Sequence, residues 1–335
     1  MTLDKKSVAA YLKRKKQLEA GEIVLDVRQI GDGQKNLLFL VITNQNRLIV
    51  KQAHSRAQIK ERWWLDRKRI FNEKNCIDVL GHMAPPDVLP EVMLEDRTDF
   101  ILVTTAPPAD AALWDADLFN GRIDLQIAVQ CGDLLAQVHN QTYEARDVKN
   151  IFKETKPFQQ LRIEPLYGSI AQAFPDLKKP IEALAKQLLR RRHCLVLGDL
   201  RPRNIWVNNG QVYLTDFATA HYGNPSFDLA YYSADLCLKA MVNNPQKAAY
   251  LEAINVFWTA YFRLVEYPKK EEVERNAIHD FGCLLLSATD GRIPVDYLDD
   301  EMRDLARRIS QSLLFTELEH IEDITEFINR TLIDG

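Results

Sequence analysis

Gly198-Asp-Leu-Arg-Pro-Arg-Asn-Ile-Trp-Val-Asn-Asn-Gly-Gln-Val-Tyr-Leu-Thr-Asp-Phe217 is the stretch on which the fold turns. Two short β-forming runs, Asn204 to Val207 and Gln211 to Thr215, flank Asn208-Asn209-Gly210. Asn-Gly is the strongest short hairpin signal, because both residues tolerate the positive φ that a two-residue turn imposes. If Asn209 and Gly210 form that turn, residues equidistant from it face each other, so Asn204 lies opposite Thr215 and beside Asp216. Asp199 stands five residues before Asn204. Three oxygen-bearing side chains are then expected to converge at the open end of a stiff ribbon. Hard oxygen donors of this kind suit Mg²⁺, which takes one or two carboxylates and completes its shell with water and phosphate oxygens. The same Asp and Asn residues also read as ordinary turn formers.

Outward from the ribbon, the two halves of the chain differ in period. Strand-like runs fill the first hundred residues: Ile23 to Ile30, Leu37 to Thr43, Leu48 to Ala53, Glu91 to Leu94 and Phe100 to Thr104. Gly31-Asp32-Gly33 and Asn44-Gln45-Asn46 punctuate them, and a charged segment from Lys60 to about Leu80 reads as one inserted helix. The expectation is a five-stranded antiparallel sheet plus helix over residues 1–105. From Pro107 the apolar residues recur at helical spacing, as in Ile127, Leu134, Leu135 and Val138, or Ile181, Leu184 and Leu188. Residues 106–335 are therefore expected to form a larger α-helical lobe, interrupted by the one strand pair at 204–215. The fold class is α+β: a small β-rich N-terminal lobe joined to a larger helical C-terminal lobe.

The 335 residues are 46% hydrophobic and 27% charged, the composition of an ordinary globular protein. A net charge of −4 gives no general attraction to nucleic acid or to anionic lipid. No apolar run approaches the roughly 18 residues of a membrane span. Five scattered cysteines lack the spacing of a metal site or a disulfide framework, so a reducing compartment is expected. The basic segment Ser7 to Lys16 has no secretory apolar region, which points to the cytoplasm. Oligomeric state leaves no mark on the sequence.

Asp-x4-Asn followed by Asp-Phe is the spacing of the catalytic and metal loops in kinases. On that reading Asp199 is the base that orients an attacking hydroxyl, and Asn204 and Asp216 hold the metal. Gly31, Asp32 and Gly33 form either a loop whose amides approach phosphates or a plain turn. Lys51, on the third strand, either bridges nucleotide phosphates or is a solvated strand lysine. Order favours the first reading in each case: glycine turn, strand lysine, Asp-x4-Asn and Asp-Phe follow one another as phosphoryl transfer requires. Asp228 comes twelve positions after Asp216. That is too short a segment to dock a folded protein, so the acceptor is expected to be a small molecule. Asp228 itself opens a helix, where it caps free amides or braces the catalytic loop.

Leu197 to Asp228 resembles the aminoglycoside phosphotransferase and choline kinase group of small-molecule kinases. Within that group, Ile30-Gly-Asp-Gly-Gln-Lys-Asn-Leu-Leu-Phe39 and Leu48-Ile-Val-Lys-Gln-Ala53 are most similar to the methylthioribose kinases. The resemblance implies a protein-kinase-like two-lobed fold, ATP and Mg²⁺ as cofactors, and transfer of the γ-phosphate to a hydroxyl. It carries the phosphate lysine to Lys51, the base to Asp199, the metal ligands to Asn204 and Asp216, and the nucleotide loop to Gly31 and Gly33. Two positions depart from the pattern. Leu197 replaces a histidine that braces the loop, and Ala218 replaces a glutamate that would be a further metal ligand. Phe71 stands where the glutamate partner of Lys51 is expected, leaving Glu73 or Glu61 as substitutes.

Acceptor recognition is sought in Phe158 to Tyr167 and Asp290 to Tyr297, where Arg162, Asp290 and Arg292 either clamp a substrate or form internal ion pairs. Trp63 and Trp64 either face substrate or, more commonly for paired aromatics, pack on the inserted helix, and Lys60, Arg62, Arg67, Lys68 and Arg69 read as its solvated face. His139 and His221 read as packing or capping residues. A methylthioribose-like sugar, an amino alcohol and an aminoglycoside all remain open as acceptors. The rival class is a pseudokinase, a nucleotide-binding scaffold without turnover, which Leu197 and Ala218 favour and the joint presence of Asp199, Lys51 and Asp216 opposes.

Overall fold

A computed structural model of the chain describes residues 2–59 and 62–334. Contacts divide it into two units, Met1–Ala111 with Tyr213–Thr219, and Ala112–Val212 with Ala220–Gly335.

The first unit is built on an antiparallel sheet of order β1-β2-β3-β5-β4, with β1 Val24–Ile30, β2 Asn36–Thr43, β3 Arg47–Ala53, β4 Val92–Asp96 and β5 Ile101–Thr105. Alternation along the strands sorts the side chains between two faces. Phe39, Val41, Leu48, Val50, Ile101 and Val103 pack on one face with Val8, Tyr11 and Leu12 of the helix Ser7–Arg14. Ala53 and Leu102 lie on the other, against Ile70 and Phe71 of the helix Arg69–Leu80. Lys51 pairs in register with Leu38 and Leu102, and directly paired residues share a face. Its ammonium is thereby sent toward the helix Arg69–Leu80.

That helix is shorter than the sequence suggests. Among the described residues it begins at Arg69, after a turn in which Asp66 Oδ1 accepts from the Lys68 amide at 2.9 Å. Trp63 and Trp64 precede it: Trp63 is buried, while Trp64 forms an isolated bridge with Arg56 and is 65% exposed. The basic run also divides. Arg62, Arg67 and Lys68 are exposed, but Arg69 is buried and is no part of a solvated face. Lys60 and Glu61 lie outside the described residues.

The second unit is mainly helical. Its core helix, Ser226–Val242, is buried through Met241, and helices Leu125–Thr142, Lys247–Leu264, Lys270–Asp290 and Asp300–Leu314 belong to the same unit. The hairpin forms about Asn209 and Gly210, but its open end differs from the expectation: Asn204 ends a 3-10 turn, Pro202–Asn204, and Thr215 lies beyond the strand. β8 Ile205–Asn208 and β9 Gln211–Leu214 are placed symmetrically about Asn209 and Gly210, whose φ values are 50° and 76°. More strands interrupt the helices than the single pair expected. β6 Ala112–Leu113 pairs with β8, and β7 Cys194–Val196 pairs with β10 His221–Gly223. Two or three residues are too few to show a period of two, so these strands leave no pattern to read.

The segment Gln159–Gly168 winds as a π-helix and contains Pro165. Tyr167 at its end donates to Asp280 Oδ1 at 2.9 Å, and Ser226 Oγ donates to Oδ2 at 2.8 Å. Burial pushes the Asp280 carboxyl up to about 7, because the two hydroxyl hydrogen bonds only partly offset the loss of water. A folded-state value above the unfolded one stabilises the fold at low pH, and that stability is lost as pH rises through 7. Asp280→Asn keeps two hydroxyl partners and removes the charge. It should stabilise the protein by about 3–4 kcal/mol at pH 8 and by less than half of that at pH 5, measured by urea unfolding. An equal effect at the two values of pH would contradict the assignment. No helix among the described residues is long and apolar enough to cross a membrane.

Candidate active site

In the first unit, Lys51 Nζ lies 2.5 Å from Glu73 Oε2 and 3.0 Å from Asp216 Oδ1. Of the two glutamates considered from sequence, Glu73 is therefore the partner. Phe71, two residues earlier, points into the sheet and stacks on Phe100 at 5.9 Å. Burial opposes the Lys51 charge, yet Asp216 and Glu73 outweigh it and hold the ammonium well above its usual value. Lys51 is thus a buried cation fixed in place by two carboxylates, rather than a solvated strand lysine. Asp216 holds its carboxylate there from a left-handed backbone, φ 66°, a conformation that costs a non-glycine residue about 1 kcal/mol or more. Strain of this kind persists where the surroundings enforce it.

Gly31 and Gly33, between β1 and β2, both have positive φ, 71° and 67°. An L side chain is strained at either position, and a Cβ on Gly31 would also lie 3.2 Å from Leu38 Cδ1. Asp32 closes the loop by accepting from the Gln34 amide at 2.9 Å. Arg69 pins the outgoing end: its Nη2 donates to Lys35 O at 2.5 Å and Asn36 Oδ1 at 3.0 Å, and its Nη1 donates to His54 O at 3.1 Å. The burial that this requires lowers its guanidinium to about 10.

In the second unit, β7 delivers the chain to Leu197-Gly198-Asp199. The fully buried Asp228 carboxylate accepts from the amides of Leu197 at 2.7 Å and Gly198 at 2.8 Å. Of the two roles open to it, Asp228 takes loop bracing, and it does so through the main chain. Leu197 therefore needs no polar side chain to be held. His139, buried on Leu125–Thr142, donates or accepts through Nδ1 with Tyr261 Oη at 2.7 Å and places Nε2 3.5 Å from Asp228 Oδ2. His221, in β10, stacks on Phe158 at 3.8 Å.

Asp199 carries an arginine on each oxygen. Arg162 Nη2 lies 2.8 Å from Oδ2, and Arg201 Nε lies 2.7 Å from Oδ1. Burial works against ionisation, but Arg162 and Arg201 prevail and hold the carboxyl well below the usual carboxylate range. Arg162 also donates from Nε to Gly198 O at 2.8 Å. It is committed to this loop as an internal ion pair. Asn204 Nδ2 donates to the main-chain Asp199 O at 3.0 Å, so the side-chain amide at one end of Asp-x4-Asn is tied to the backbone of the other. Asp290 is bound by Arg307 through Nε and Nη2, each at 2.8 Å, which also makes it an internal ion pair. The Arg292 amide donates to Ser169 Oγ at 3.1 Å and Pro165 O at 3.2 Å, tying its turn to the π-helix. Sequence reasoning missed Arg201 and its platform Tyr231, whose ring centroid lies 4.1 Å from the guanidinium carbon. Neither residue carries a spacing signal.

Residues 26–265 match the sequence profile described as the phosphotransferase enzyme family. The chain is 25% identical over 325 aligned residues to a methylthioribose kinase of Geobacillus sp. (strain WCH70), covering 82% of this chain and 80% of the relative. Among solved structures, an amicoumacin kinase in complex with AMP-PNP and Ca²⁺ superposes with a TM-score of 0.57 at 13% identity, over 94% of this chain and 96% of that one. A choline kinase from Cryptosporidium parvum superposes with a TM-score of 0.54 at 12% identity, over 98% of this chain and all of the other. Likeness at these identities establishes the fold alone, and the fold is the protein-kinase-like one expected.

Proposed function

We propose that this chain, which belongs to the phosphotransferase enzyme family, moves the γ-phosphate of ATP to a hydroxyl of a small molecule with Mg²⁺ as cofactor. The observation that carries the reading is the buried Lys51 held between Glu73 and Asp216. A scaffold has no use for a cation that must be desolvated and then neutralised twice. Phosphate oxygens do, and Lys51 would meet the charge of a bound nucleotide there. The amides of the Gly31-Asp32-Gly33 loop would cover the phosphates.

Asn204, in the second unit, and Asp216, in the first, would each offer a hard oxygen donor, an amide oxygen and a carboxylate, of the kind Mg²⁺ prefers. Ala218 offers no donor, which leaves the protein's share of the coordination to those two residues. When bound, the ion would neutralise charge on the phosphates. Asp199, kept ionised by Arg162 and Arg201, would orient the acceptor hydroxyl. As the bond from that oxygen to the γ-phosphorus forms and the bond to the β,γ-bridging oxygen breaks, the hydroxyl proton passes to Asp199 and ADP leaves.

Methylthioribose-like sugars, amino alcohols and aminoglycosides form the starting acceptor set. The test is ATP consumption with Mg²⁺ over a metabolite library, with Asp216→Ala as blank. Signal above that blank for at least one small hydroxyl compound is expected, with turnover in the Asp216→Ala protein lower by about 10²-fold or more. ATP binding with no acceptor-dependent consumption would support the pseudokinase instead. Transfer to a peptide library with none to metabolites would move the activity to protein acceptors.

A further inference from the structure

Arg201 holds Asp199 ionised through one nitrogen, which leaves the rest of its guanidinium outside that task. Its only hydrogen bond among the described residues runs from Nε to Asp199 Oδ1, at 2.7 Å. Nη1 and Nη2, the forked end of the guanidinium, are not used by that bond. The side chain is 17% exposed, and its plane is held by Tyr231, whose ring centroid is 4.1 Å from Cζ. A guanidinium fixed by Nε on one side and by an aromatic face on the other presents its fork in one direction. Such a fork matches the two oxygens of a carboxylate.

The charges around it decide the sign of the ligand. Lys239, 1% exposed, binds Asp115 Oδ1 at 2.8 Å and also Asp235 Oδ2. Asp199 is matched by Arg162 and Arg201. Three carboxylates, of Asp115, Asp199 and Asp235, thus meet three buried or half-buried cations, of Arg162, Arg201 and Lys239, and Arg203 adds positive charge that acts on Asp199. No carboxylate of this cluster is left over for a cationic acceptor. Phe119 and Tyr297, packed edge to face at 5.0 Å, with Lys239 over the Phe119 ring, add an aromatic wall; of the carboxylates that act on Tyr297, Asp115 and Asp235 are bound by Lys239 and Asp296 is exposed to solvent.

We infer that the acceptor is a hydroxy acid, whose carboxylate is held by the Nη1 and Nη2 fork of Arg201 while a nearby hydroxyl on its carbon chain meets Asp199. This deepens the proposed phosphotransfer and rests on it, naming the acceptor class as anionic and polyhydroxylated rather than cationic. Arg201 then sets specificity through its fork while its Nε continues to hold Asp199.

Titration calorimetry on the full chain, without ATP, tests the fork directly. D-Gluconate, D-ribonate and D-glycerate are compared with the uncharged glucitol and the cationic choline. At least one acid should bind tenfold or more tighter than glucitol and choline. Arg201→Gln should remove that advantage, and Arg201→Lys should restore only part of it, since an ammonium lacks the fork. ATP affinity of both variants should stay within about twofold, and their near-ultraviolet circular dichroism should match the parent. Failure of all three acids to outbind glucitol, or acid affinity unchanged in Arg201→Gln, overturns the inference. A loss confined to ATP affinity does so as well, because it would assign the fork to the nucleotide. Arg201-dependent acid binding without phosphate transfer from ATP would uphold the fork and reject the phosphotransfer reading.

Discussion

Asp199→Asn should lower turnover by about 10³-fold while leaving ATP affinity within about twofold of the parent. The substitution keeps the shape of the side chain and removes the one feature the reaction needs, a negative oxygen that draws the hydroxyl proton as the new bond forms. An amide oxygen accepts a hydrogen bond but does not take the proton. Electrostatics strengthen the effect. With Arg162 and Arg201 at 2.8 and 2.7 Å, the carboxylate sits between two guanidinium ions, and its loss leaves both without the oxygen they bind. The Nδ2 group of the amide would also have to face one of those arginines, donor against donor. ATP affinity is spared because the bonds that hold Lys51, to Glu73 and Asp216, do not involve Asp199. Single-turnover kinetics and equilibrium ATP binding measured on the same preparation separate the two quantities. Turnover within tenfold of the parent would remove Asp199 from the chemistry.

The parts of this site that were legible in the sequence are those with a local rule behind them. Asn209-Gly210 announces a hairpin because few residue pairs accept two positive φ values in succession, and the strands end symmetrically about it. The face taken by Lys51 follows from alternation on β3. Glu73 was legible only as one of two candidates, since helical phase depends on where the helix starts, and the helix starts at Arg69 without a side-chain cap that the sequence would announce. Arg69 was illegible for a related reason. It ends a run of three basic residues, and charge pattern alone treats all three alike, whereas the fold turns one of them inward to carry the backbone oxygens of Lys35 and His54. Arg201 and Arg162 are 39 residues apart in the chain and meet only on Asp199. No spacing rule connects an irregular π-helical turn with a loop that follows a three-residue strand.

Asp228→Ala should destabilise the protein by about 3–5 kcal/mol and lower turnover of the folded fraction by about 10²-fold, although Asp228 touches no reacting atom. Its carboxylate accepts from two consecutive buried amides, those of Leu197 and Gly198, and hydrogen bonds to an ionised acceptor are worth more than neutral ones. Removing it orphans both donors and leaves His139 Nε2 without its carboxylate neighbour. The loop that presents Asp199 then loses its anchor, and a displacement of about 1 Å at a catalytic group costs about 10² in rate. The isosteric variant is the sharper test. Asp228→Asn preserves volume but has one acceptor oxygen where two amides need two, so its Nδ2 must oppose an N–H. It should recover less than half of the stability lost by Asp228→Ala, measured by urea unfolding. Turnover should remain well below the parent, whereas a residue that only packed the helix start would tolerate the amide. Parent-like stability and turnover in Asp228→Asn would show that the main-chain brace is not what holds Asp199, and the departure at Leu197 would again need a structural substitute.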